Sequence, residues 1–161
     1  QLGCTIIKKY ESDHGRQVLN KKGEMAQMHN RSFAYGMLLA VYDKLENDAL
    51  ETKKKFVDST AKKTGEAHVT NAARFWSAMI HRPLKTAAVL ENRTKYYQNA
   101  LAKNNIAAKI YYDKIRQNIY NEIAKFETDE TIKSRPANED FVLGYYYQQQ
   151  ELYKKKDNGN K

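Results

Sequence analysis

The sequence has one cysteine, Cys4, which excludes an intrachain disulfide, and with four histidines and no Cys-x-x-Cys pair it has no zinc framework. A reducing compartment suits such a chain, and cytoplasmic localisation is expected. Only two prolines and seven glycines punctuate its 161 residues, and strand-like alternation is absent. The longest apolar run, residues 34–42, contains Gly36 and falls far short of the roughly 18 residues a bilayer span requires, so no membrane is expected as a partner. No signal-peptide pattern is visible. A glycine-rich phosphate loop is missing, and His14, His29, His68 and His81 are scattered. Cys4 has no histidine at a diagnostic spacing, and the acidic residues near Glu127 have no aligned partner. No catalytic activity, cofactor or metal is therefore expected.

What remains is apolar spacing of three and four, which predicts an all-α, single-domain bundle of about five or six helices across residues 1–161. A first helical segment covers residues 2–12, with Cys4 a small buried hydrophobe. A polar linker near 13–30 is expected to be mobile. Asn30 is placed to cap a core helix over about 31–47, with Ala34, Met37, Leu38, Val41, Tyr42 and Leu45 as its buried stripe. Residues 51–63 are read as a further helix whose exposed face is strongly positive. Thr70 or Asn71 can cap a helix through Phe75, Trp76 and Ile80, which ends at His81–Arg82 because Pro83 disfavours helix before it and suits the first turn of the next. That next helix runs to about Lys103, with Ala88, Leu90, Tyr97 and Leu101 as its apolar positions. Asn104–Asn105 interrupts it, and another helix follows over about 106–126. An acidic loop at 127–130 then precedes a final helix capped by Asn138, and the tail near 154–161 is expected to fray.

Two features of this pattern bear on function. Lysine and arginine number 28 against 19 acidic residues, a net charge of +9 that favours a polyanionic partner. The final helix reads FVLGYYYQQQELYKKK over residues 141–156, with Gly144 in its interior. Glycine there costs about 1 kcal/mol relative to alanine, which points to close approach by another backbone. Phe141, Tyr145, Gln148 and Leu152 fall near one side of this helix, beside Val142, Tyr146, Gln149 and Tyr153. Tyr145 and Tyr146 are read chiefly as packing wedges, while Tyr147, Gln148 and Gln150 are the candidates for contact with nucleic acid or a neighbouring subunit.

LGYYYQQQELY resembles the Leu-Gly-Tyr-Tyr-His-Gln-x-x motif that closes the large subunit of type I-C CRISPR Cascade complexes. NRSFAYGMLLAVYDKLEND and VTNAARFWSAMIHRPLKT are similar to two earlier segments of the same family in the same order, and CTIIKKY fits the cysteine-containing helix before them. Tyr147 departs from the family's usual histidine, and residues 87–123 follow it only as a helical pattern. The resemblance is to the C-terminal helical region, which this family also makes separately, by internal translation, as the small or belly subunit.

That resemblance implies a non-catalytic small subunit that braces the crRNA–target DNA heteroduplex and the displaced strand in antiviral defence. Its partners would be the backbone and large subunits, crRNA and target DNA, and neighbouring copies of itself. Strand cutting would fall to a recruited helicase-nuclease. Charge and placement put Arg74, Arg82 and Lys85 around the Trp76 helix and the Pro83 turn, with Arg93 about two turns on, as first candidates for phosphate contact. Lys53, Lys54, Lys55, Lys62 and Lys63 form a second candidate surface. Trp76 is read as core rather than as a stacking platform, and His81 as a helix-end residue. The competing readings are a helical protein-interaction adaptor whose lysines serve solubility, and the isolated C-terminal domain of the large subunit.

Overall fold

The structure, a computed structural model, describes residues 30–56 and 69–157, of which 53–56 and 155–157 as backbone only. The expected segment at 2–12 and, apart from Asn30, the linker at 13–30 lie outside the described residues. So do Cys4, Lys62, Lys63 and the last four residues. Among the described residues there is no strand, and the helices are α1 (Arg31–Phe56), α2 (Asn71–Arg74), α3 (Trp76–His81), α4 (Pro83–Asn104), α5 (Ile106–Phe126), α6 (Glu130–Lys133) and α7 (Asp140–Asp157). Four of these are long and make the bundle.

Local chemistry accounts for most of the boundaries. Asn30 caps α1, its side chain accepting from the amide of Phe33 at 2.9 Å. Thr70, rather than Asn71, caps α2 by accepting from the amide of Ala73. Asn105 both ends α4 and caps α5, and Pro83 occupies the first turn of α4. Asn138 accepts from the amide of Asp140 at 3.0 Å and starts α7. Two expectations change. α1 continues past residue 47 to Phe56, absorbing the start of the helix expected at 51–63, because neither glycine nor proline falls between. The expected helix through Phe75 divides at that residue, whose backbone turns with φ −93° and ψ 7°.

α1 is the centre of the molecule. Every residue from Arg31 to Tyr42 is buried, so the expected stripe has become a helix covered on all sides, by α7, α4 and α5. Its tightest neighbour is α7. A methyl group placed on Gly36 would overlap the Phe141 carbonyl of α7, and one placed on Gly144 would overlap the Phe33 carbonyl of α1. The two glycines thus let the backbones touch reciprocally, as expected for Gly144. Around this crossing Phe33 packs on Tyr147 with ring centroids 5.7 Å apart, and Trp76 meets Phe141 and Tyr145 edge-on at 5.2 and 4.7 Å. Trp76 is therefore half-buried and packs against the core, in line with the packing role the sequence suggested.

The other side of α1 meets α4 and α5 through a polar seam. Arg116 of α5 binds Glu91 of α4 at 2.7 Å and also Asp113, while the Tyr42 hydroxyl donates to Glu91 and lies 2.6 Å from that of Tyr120. Burial alone would raise the Glu91 carboxyl pKa, but the Tyr42 hydroxyl and the Arg116 guanidinium outweigh it and hold the group below the ordinary carboxylate range.

Candidate nucleic-acid interface

The site grows from a buried arginine that the sequence reading passed over. Arg31, at the start of α1, pairs its Nε with Glu127 at 2.7 Å and donates to the carbonyls of Arg135 and Lys133 at 2.8 and 3.0 Å. Its guanidinium lies over the ring of Tyr35, whose hydroxyl donates to the same Glu127 at 2.6 Å. Burial, then Glu127, push the Tyr35 phenol well above its usual pKa. These bonds fold the acidic loop back onto the bundle and tie the end of α6 to the start of α1. At the far end of the segment the amide of Ala137 donates to the Ile80 carbonyl at 2.7 Å, which binds it to α3.

α3 and α4 are joined just as firmly. The Thr86 hydroxyl donates to the Ala78 carbonyl across the Pro83 turn at 2.9 Å. The result is a solvent-open hollow of about 320 Å³ bordered by Arg82, Leu84 and Lys85 from the turn and by Glu130, Lys133 and Ser134 from α6. Lys133 pairs with Glu130 at 3.1 Å, whereas among the described residues Arg82 and Lys85 form no ion pair and are exposed. No side chain caps the start of α4, so the positive end of a 22-residue helix opens at the same hollow. Three cations face one carboxylate there. A guanidinium fork, two ammonium groups, a hydroxyl and free helix amides are donors suited to phosphate oxygens.

Of the predicted contacts, Arg82 and Lys85 are therefore brought together. Arg93 is exposed two turns along α4. Arg74 is also exposed but does not border the hollow, and it lies near enough to Tyr97 to act on its titration. Lys53, Lys54 and Lys55 belong to the last turn of α1 with no described side chains. His81 is exposed at the end of α3.

Two expected interface residues are corrected. Tyr147 and Gln148 are 1% and 2% exposed, turned into the fold and not toward a partner, while Gln150 is half-buried. Gln148 shares the buried side of Phe141 and Leu152, and for Tyr147 the reason is Gly144. The close approach of α1 at that residue widens the buried arc of α7 beyond Phe141, Gln148 and Leu152 to include Leu143 and Tyr147. Lys133 and Ser134 were missed because contacts distant in sequence, those of Arg31 roughly a hundred residues away and the Ala137–Ile80 bond, carry them to the Pro83 turn.

Among the described residues no helix is long and apolar enough to cross a membrane. Neither a curated protein nor a solved structure matches the chain. A family model described as CRISPR-associated protein (Cas_Csd1) matches residues 1–153, nearly the whole sequence. The chain belongs to this Csd1 family of CRISPR-associated proteins and is a Cascade-related component.

Proposed function

We propose that the protein is a non-catalytic small subunit of an RNA-guided Cascade complex, which steadies the crRNA–target DNA heteroduplex and the displaced strand by gripping phosphates. The observation that carries this reading is the basic hollow at the Pro83 turn, where Arg82 and Lys85 stand exposed beside Lys133 and an uncapped helix start. Base pairing with the guide supplies sequence discrimination in such complexes, so a subunit needs only sequence-blind affinity for backbone charge. The net charge of +9 fits that division.

A mobility-shift titration with single-stranded and duplex DNA at two salt concentrations tests the grip. The expected result is salt-sensitive binding, with each of Arg82→Ala and Lys85→Ala lowering the slope of log affinity against log salt by about 0.7 to 0.9. No binding at low salt by the intact chain would sink the proposal. Co-purification with crRNA-loaded backbone subunits tests the assembly itself.

One observation favours an added adaptor role. Ile106 and Ile110, one turn apart on α5, are 54% and 59% exposed, an apolar pair suited to a protein neighbour in the complex.

A further inference from the structure

The hollow at the Pro83 turn is one end of a longer surface. Along the outer side of α4, Lys85, Val89, Asn92, Tyr96, Asn99 and Lys103 follow one another at helical spacing, and all are exposed. Arg93 and Lys95 flank the line, also exposed. The sole acidic residue of α4 is Glu91, which turns toward Arg116, so among the described residues no carboxylate of α4 interrupts the stripe. At 1.5 Å per residue the line from Lys85 to Lys103 is about 27 Å long.

Its aromatic is held ready. Tyr96 is 61% exposed and rests edge-on against Tyr97 with ring centroids 5.4 Å apart. Tyr97 is half-buried and hydrogen-bonds to Glu46 of the central helix α1. The outer ring is thereby braced by one tied to the core. Beside it lies a second hollow, of about 350 Å³, bordered by Tyr96, Asn99, Ala100, Lys103 and Asn104. One side of this hollow is an aromatic ring, another a lysine, and the remaining borders include three-atom amide groups that can donate or accept.

Deepening the phosphate-gripping reading and resting on it, we infer that the outer face of α4 is a track for an unpaired nucleic-acid strand, with Tyr96 stacking one of its bases. A base in a duplex is already stacked and cannot reach the ring. In a single strand every base has a free face, and stacking on an aromatic side chain adds affinity without reading sequence. Arg82 and Lys85 hold phosphates at one end of the track, and Lys103 holds one beyond the stacked base.

The test is fluorescence anisotropy of the full chain with three labelled probes of about 12 units: oligothymidylate, a DNA duplex, and an abasic strand that keeps the phosphates but lacks bases. Tyr96→Ala is expected to weaken oligothymidylate binding by about 5-fold or more while leaving the duplex and abasic probes unchanged. Tyr96→Phe, which keeps the ring, should bind like the parent. Thermal melts of both variants confirm that the fold is intact. If Arg82→Ala and Lys85→Ala alter salt dependence while Tyr96→Ala binds oligothymidylate normally, or weakens all three probes alike, the track is wrong and the grip stands. If none of these variants changes any binding, both fall.

Discussion

The α1–α7 crossing and the outer face of α4 are both long helical surfaces, yet they are built on opposite terms. At the crossing, Gly36 and Gly144 remove side chains so that backbones meet, and aromatic rings close the gaps on either side. On α4, lysine, asparagine and tyrosine are exposed, and among the described residues Lys85, Lys95 and Lys103 form no ion pair. The first surface has its partner in the same chain, and a change of one methyl group is felt there. The second is tolerant of substitution in the free protein, which leaves its composition open to the demands of a partner.

That contrast can be broken most forcefully at the crossing. Gly144→Ala should lower unfolding free energy by about 3 kcal/mol or more in urea titration, because the new methyl group collides with the Phe33 carbonyl and neither backbone can yield cheaply. Gly36→Ala should do the same through Phe141. A result near zero for either would mean that the helices stand further apart than described.

The Arg31 pair has an effect of comparable size. Its two side chains are almost fully enclosed, at 9% and 6% exposure, so Arg31→Met strands the Glu127 carboxylate and should cost about 3–5 kcal/mol. Adding Glu127→Leu should recover much of that loss. The single variant should also weaken DNA binding when measured under folding conditions, since Lys133 and Ser134 lose their anchor.

The polar seam gives a smaller, pH-dependent effect. The Glu91 carboxyl has a lower pKa folded than unfolded, and so does Asp113, where burial is outweighed by Lys109 and Arg116. Their contribution is therefore present above the ordinary carboxylate range and lost as pH falls through their folded values. Denaturant midpoints measured from pH 7 to pH 3 should fall, and Glu91→Gln should flatten part of that slope. The smallest effect belongs to α4. Arg82→Ala and Lys85→Ala should each shift stability by less than about 0.5 kcal/mol, even as they alter the salt dependence of DNA binding.

How far the sequence could be read follows the same division. Features set within a few residues were legible: the Asn30 and Asn138 caps, a cap at Thr70 or Asn71, the break at Asn104–Asn105, the Pro83 boundary, and the span 106–126. The exposed candidates Arg82, Lys85 and Arg93 were legible too, because a basic residue at a proline turn or off the apolar stripe has nowhere else to go. Depth of burial was not. Whether Tyr147 faces inward depends on how closely α1 approaches Gly144, a distance that no periodicity encodes. Arg116 did leave a trace, since it shares the buried side of α5 with Tyr112, Ile115 and Ile119, where an arginine demands carboxylate partners. Arg31 left a fainter one, a cation opening a helix whose next eleven residues carry no charge.

The reciprocal glycine contact also sets an order of events for a chain still being made. Asn30 and Asp140, which meet at the rim of the crossing, are 110 residues apart. A growing polypeptide must leave the α7-facing side of α1 uncovered until residues 140–157 have left the ribosome, and premature release before α7 would yield a sticky fragment rather than a smaller working protein.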